Sequence, residues 1–155
     1  MRKAKPPAAS PLKTLVPDQL LCFAIYSTMT GLNRVYRPLL KALRLTYPQY
    51  LVMLVLWDAD ERTVSKIGES LFLDSPTLTP LLKRLEAAGL LVRRRSKTDE
   101  RQVIVSLTLA GRKLQARALG IPGCIAAAME CSMPEIEALN EKLVALRNAL
   151  LRNAA

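Results

Sequence analysis

Cys22 and Tyr26 stand one helical turn apart in the segment LLCFAIY, residues 20–26. A thiolate is a strong nucleophile, and neighbouring donors such as phenols raise the thiolate fraction of a thiol whose free pKa is about 8.5. Cysteine is also among the residues most often fully buried, where it behaves as a small inert hydrophobe. Cys124 and Cys131 complete the set of three, with no CxxC pair, so no structural disulfide framework is described. The chain has no histidine. That removes Ser-His and Cys-His catalysis and the commonest zinc ligand, so neither a metal nor a cofactor is expected. What remains is the redox chemistry of individual thiols, or simple packing.

The elements that would position these thiols can be read from composition and pattern. A chain of 155 residues is the size of one domain. The longest clean apolar run, LVMLVLW at 51–57, is too short to cross a bilayer, so no membrane partner is expected. The amino terminus MRKAKPPAASPLK is basic and rich in proline without a hydrophobic signal region after it, and residues 1–16 read as a flexible basic arm. A cytoplasmic location follows as the expectation, and there thiols are kept reduced. The formal charge of +10 points to a polyanionic partner.

From Pro17 a helix is expected, with Pro17 in its first turn and Pro38 kinking or dividing it near Tyr36 and Arg37. A second helix starts in LTYPQYLVMLVLW, with Thr46 as N-cap, Pro48 in the first turn and an all-round apolar character that implies burial. TVSKIGESLFL predicts a short helix capped by Thr63 that turns Val64, Ile67 and Leu71 inward. DSPTLTPLLKRLEAAGL repeats leucine at 78, 81, 82 and 85 and stops at Gly89, a good left-handed terminus. LLVRRRS and QVIVSLT flank the polar turn KTDER as a hairpin.

Helix, helix and hairpin in that order describe a winged helix-turn-helix, mainly α with a small β-hairpin wing. The reading unit covers about 46–108 within a single domain at 17–155. Helices over about 17–45 and 109–153 would form a dimerisation region. Of these, the last is started by Ser132 and Glu135 at capping-box spacing and carries apolar residues at 136, 139, 143, 146 and 150. The expected partner is double-stranded operator DNA. Ser75, Pro76, Thr77 and Thr79 lie at the amino end of the recognition helix, where side chains meet base edges or phosphates, and Lys83 and Arg84 lie further along. Arg94, Arg95 and Lys97 of the hairpin are expected to touch phosphates.

QLLCFAIYS, LTYPQYLVMLVLW and LDSPTLTPLLKRLEAAGLLVRRRSKTDERQVIVSLTLAG together resemble the MarR family of winged-helix regulators. The first two resemble its organic hydroperoxide resistance branch. The resemblance implies that Cys22 is the peroxide-reactive thiol, hydrogen-bonded by Tyr36 and Tyr47 of a partner subunit, with Tyr26 alongside on its own helix. It implies that Arg101 at the wing tip enters the minor groove and that Arg93 pairs with Asp99 to hold the wing. Two-cysteine relatives carry their resolving thiol after the proline matching Pro122, but Ala127 stands at the matching position here. Cys131 and Cys124 are therefore the resolving candidates, and they would share a face of an uninterrupted helix.

The function implied is a homodimeric, non-enzymatic repressor that binds DNA when reduced. Organic hydroperoxide would release it by oxidising Cys22 to a sulfenic acid and then a disulfide. Two rival readings stand beside it: a MarR-type regulator that answers a small aromatic ligand, and a thiol peroxidase.

Overall fold

The computed structural model describes residues 16–154, so the basic arm expected at 1–16 lies, but for Val16, outside the described residues. Two compact units divide between Arg34 and Val35.

In the first unit Pro17 opens a separate 3-10 turn, Pro17–Gln19, closed by Leu20 N–H donating to the Pro17 carbonyl at 2.9 Å. Helix α1 (Leu21–Leu43) starts after that turn, later than the position of Pro17 implies. Leu21, Phe23, Ile25 and Tyr26 are all exposed on its opening turns.

Pro38 does not divide α1, which continues to Leu43, so of the two outcomes expected, a kink or a division, the division does not occur. Proline removes one N–H, the one that would reach the carbonyl four residues back. An exposed position lets water take that carbonyl's bond, and Pro38 is exposed. In the second unit α1 stops instead at Arg44, whose φ of 56° lets Leu45 N–H bond the Leu40 carbonyl at 3.1 Å. This left-handed stop is made without glycine, so the usual residue signal for it is missing.

Thr46 starts α2 (Tyr47–Asp58): its N–H and its hydroxyl donate to Gln49 Oε1 at 2.8 and 3.1 Å. Burial of α2 is one-sided, since Tyr50, Val52, Met53 and Leu56 are buried while Leu54 is exposed. Thr63 Oγ1 accepts from Lys66 N and caps α3 (Val64–Leu71). Ile67 is its buried anchor, whereas Val64 and Leu71 are only half-buried. After a left-handed Phe72, Asp74 caps α4 (Ser75–Ala87), whose Leu78, Leu82 and Leu85 are each at most 1 % exposed. Burying each contributes about 1.5–3 kcal/mol relative to leaving it in water. Gly89, at φ 69°, ends the helix as its position predicts.

The hairpin forms from β2 (Leu91–Arg95) and β3 (Val103–Leu107), with Leu91 opposite Leu107 and Arg95 opposite Val103. A third strand, β1 (Arg62–Thr63), pairs with the far side of β3. Two residues carry no readable alternation, so nothing in the pattern announces it.

Thr108 caps α5 (Leu109–Ala118) through Gly111 N–H. Here the backbones meet: a Cβ on Gly111 would lie 2.0 Å from the Leu90 carbonyl oxygen, and the Gly111 carbonyl accepts Trp57 Nε1–H at 2.9 Å. Helix α6 (Ile121–Ala128) takes Pro122 into its first turn, and α7 (Met133–Asn153) starts at the expected Ser132–Glu135 box. No residue of α7 is buried, and Leu139, Leu143 and Leu150 are exposed. No single helix among the described residues is long and apolar enough to cross a membrane.

Candidate nucleic-acid interface and thiol site

The row of leucines that seats α4 in the core leaves the opposite face of the helix outward. Ser75, Pro76, Thr77, Lys83 and Arg84 are exposed and Thr79 is half-buried, its hydroxyl donating to the Ser75 carbonyl at 2.8 Å. The Asp74 cap accepts Thr77 N–H at 3.0 Å, and hydrogen bonding from Thr77 holds its carboxyl below the usual carboxylate range. The first turn of α4 is thus closed by Asp74, which accepts Thr77 N–H with its side chain and Leu78 N–H with its carbonyl.

The wing differs from the expected arrangement in one pairing. Arg93 does not bond Asp99; its Nε and Nη2 donate to Glu86 Oε2 at 2.9 and 2.6 Å, and its backbone N–H donates to Glu86 Oε1 at 3.0 Å. Alternation along β2 puts Arg93 on the same face as buried Leu91, toward α4, where Glu86 stands. Those bonds from Arg93 hold Glu86 below its usual range. Asp99 is occupied elsewhere: Oδ1 accepts Arg101 N–H and Oδ2 accepts Gln102 Nε2–H, both at 3.0 Å. It shapes the turn directly, helped by Ser96 Oγ, which accepts Thr98 and Asp99 N–H.

Arg95, Lys97 and Arg101 are exposed. Arg94 is exposed too, but its Nη2 lies 2.5 Å from Glu61 Oε1. Behind the wing, Asp60 joins three elements: Oδ1 accepts Leu107 and Glu61 N–H, each at 2.8 Å, and Oδ2 lies 2.9 Å from Arg112 Nη2. Glu61, Asp60, Glu86 and Gly111 carry no chemistry motif of their own. Only the final glycine of VSLTLAG gave a hint, as part of a signature whose geometric reason is the approach to Leu90.

Cys22 is exposed in the first turn of α1, with Tyr26 exposed four residues on and Phe23 6.3 Å from the Tyr26 ring. The other phenols form their own cluster. Tyr36 lies 4.7 Å from Tyr47 and 6.0 Å from Tyr50, and Tyr50 meets Trp57 edge-on. Tyr50, left out of the sequence pattern, is the most buried of the three, at 2 % exposure. Burial, reinforced by the two neighbouring phenols, pushes Tyr36 up to about 12; burial also raises Tyr47 and Tyr50. All three remain protonated donors at neutral pH.

Cys124 is exposed on α6 and lines a groove with Leu39, Leu43 and Arg117. Cys131 is exposed in the break before α7, its Sγ–H donating to the Met129 carbonyl at 3.2 Å. The two thiols do not share one helix, because left-handed Glu130 separates α6 from α7.

A family model described as transcriptional regulator SarA/Rot matches residues 34–117. The organic hydroperoxide resistance transcriptional regulator of Bacillus subtilis (strain 168) is 45% identical over 133 residues, which is 86% of this chain and 90% of that protein. Among solved structures, reduced AbfR bound to DNA superposes with a TM-score of 0.78 at 34% identity, covering 89% of this chain and 94% of the other. The source of AbfR is Staphylococcus epidermidis. Its disulfide-formed state superposes at 0.63, also at 34% identity, covering 87% and 92%. These similar proteins are transcriptional regulators rather than enzymes.

Proposed function

We propose a function on the ground of the family the chain belongs to, the MarR-like winged-helix regulators of the SarA/Rot type, in the branch of the organic hydroperoxide resistance regulators. From that membership we propose that it is a cytoplasmic, homodimeric repressor that holds operator DNA while Cys22 is reduced and releases it when an organic hydroperoxide oxidises that thiol. The observation that carries this reading is an exposed Cys22, one turn from Tyr26, in a chain so similar to a hydroperoxide regulator.

In this reading residues 46–108 read DNA. The amino end of α4 enters the major groove with Ser75, Pro76, Thr77 and Thr79, while Lys83, Arg84, Arg95 and Lys97 meet phosphates and Arg101 enters the minor groove. The segments 17–45 and 109–153 dimerise. The exposed stripe of α7, Leu139, Leu143 and Leu150, supports this because a helix without buried residues has its apolar area left to cover.

The Cys22 thiolate attacks the terminal oxygen of the hydroperoxide; the O–O bond breaks, the sulfur becomes a sulfenic acid and the organic part leaves as the alcohol after taking a proton. Phenols of Tyr26, Tyr36 and Tyr47 donate to the thiolate in the dimer. Condensation of the sulfenic acid with Cys131 or Cys124 expels water and forms a disulfide, once the Cα atoms come within about 7 Å. Oxidation acts on DNA affinity through the relative stability of two dimer arrangements.

The test is fluorescence anisotropy of the reduced protein on DNA from its own upstream region, titrated with an organic hydroperoxide and then a dithiol. Release and thiol-dependent rebinding are expected, Cys22→Ser should stay bound, and a Cys22→Ser protein that releases at the same dose would sink the thiol mechanism. A second reading, response to a small aromatic ligand, is favoured by the groove lined by Tyr50, Leu54, Trp57 and Leu119 together with Asp58 and Gln115. Ligand-driven release of Cys22→Ser would select it.

A further inference from the structure

Three consecutive arginines on β2 meet three different environments. Arg93 faces α4 and is held by Glu86. Arg94 falls on the opposite face, in register with Ile104 of β3, which in turn pairs with Thr63 of β1. The loop just before β1 brings Glu61 to that face with a left-handed backbone, φ 58°, and its carboxylate takes the Arg94 guanidinium. Both side chains are exposed, at 59% and 63%, so the pair adds little to folding stability, and its effect on DNA is to cancel the Arg94 charge beside an incoming phosphate. Arg95, Lys97 and Arg101 form no ion pair that the structure shows among the described residues.

A cation adds affinity for DNA when its phosphate contact releases counterions condensed on the duplex. An arginine already neutralised by a carboxylate has less to gain, because the phosphate must first displace that carboxylate. We propose that Glu61 acts as an internal phosphate mimic that withholds Arg94 from the DNA backbone, lowering the sequence-independent part of the affinity for operator and random DNA alike. The inference rests on the DNA-binding reading and refines it: Arg94, expected among the phosphate contacts, is held in reserve.

The experiment measures binding to an upstream-region duplex and to a random duplex of equal length over a salt series, for the wild type, Glu61→Gln, Arg94→Ala and the double variant. Glu61→Gln keeps the chain length and removes only the charge. It should tighten binding to both duplexes and steepen the log affinity against log salt slope by about 0.9 per chain bound, so the gain shrinks roughly 3.5-fold between about 50 and about 200 mM salt. Arg94→Ala alone should leave the wild-type slope unchanged, and the double variant should lose the gain. A wild-type slope in Glu61→Gln, or a gain that survives Arg94→Ala, overturns the proposal. So does weaker binding of Glu61→Gln to both duplexes with a lowered thermal midpoint, which would mark the pair as loop support. Wild-type protein that binds neither duplex overturns the regulator reading as well, whereas wild-type binding with an unresponsive Glu61→Gln removes this inference alone.

Discussion

Replacing Glu86 by alanine should loosen the wing, because one carboxylate receives the Arg93 backbone N–H and both guanidinium bonds. Hydrogen bonds to charged groups contribute about 1.5–3 kcal/mol net when sheltered. The side chains here are 25% and 34% exposed, and exposed ion pairs fall to about 0–1 kcal/mol, so the cluster is worth roughly 1–2 kcal/mol. At about 2–4 °C per kcal/mol for a chain of this size, the thermal midpoint should drop by roughly 2–8 °C. The decisive assay is a double-mutant cycle by urea denaturation at fixed protein concentration, since any association of copies makes apparent stability concentration-dependent. Arg93→Ala with Glu86→Ala should couple by about 1–2 kcal/mol, while Arg93→Ala with Asp99→Ala should add within about 0.5 kcal/mol. The pH dependence follows from the same bonds. Glu86 is held below its usual range, so its contribution is present at neutral pH and lost as pH falls through the folded value. Stronger coupling of Arg93 to Asp99 than to Glu86 would refute this assignment of the wing brace.

Two further outcomes test the packing. Gly111→Ala puts a Cβ 2.0 Å from the Leu90 carbonyl oxygen, which forces α5 away by more than about 1 Å and should cost about 3 kcal/mol or more. The lone tryptophan, Trp57, reports the change directly because its indole bonds the Gly111 carbonyl, so an unshifted emission spectrum with wild-type stability would contradict the close approach. Tyr36 retains its proton up to about 12 in the fold, against an ordinary value near 10 once unfolded. Its contribution is therefore complete below about pH 10 and lost as pH rises toward about 12. Tyr36→Phe should flatten that alkaline loss, and phenolate absorbance titrating at the free value for every tyrosine would contradict the buried cluster.

What could be read from the residues depended on whether the signal was local. Thr46, Thr63, Thr108 and the Ser132–Glu135 box announce helix starts because a cap and its hydrogen-bond partner lie within one turn, and each starts the helix it marks. The leucines of α4 repeat at the helical period and bury as that period requires. Non-local features were silent. Pro38 looks like a break until its exposure shows that water can take the freed carbonyl's bond, and Arg44 ends α1 without the glycine that normally marks such an end. The two-residue β1 has too little length to alternate. Tyr50 reads as one more apolar-face residue of α2, and only the turn after α1 gathers it with Tyr36 and Tyr47.

The run Arg93–Arg94–Arg95 shows most clearly why composition underdetermines an interface. Read along the chain, the three have one charge and one apparent role, that of a basic wing edge. A strand sends alternate side chains to opposite faces, so the middle arginine is separated from its neighbours before any partner is considered. Each face then meets an acid from a different part of the chain, Glu86 of α4 on one side and the loop residue Glu61 on the other. Neither acid has a sequence position that identifies its arginine. The effective charge that the hairpin offers a phosphate backbone is therefore smaller than the formal count of its arginines, and it is set by two carboxylates that lie outside the hairpin. Under the proposed DNA-binding reading, a substitution at Glu61 would retune DNA affinity without altering a residue proposed to meet DNA.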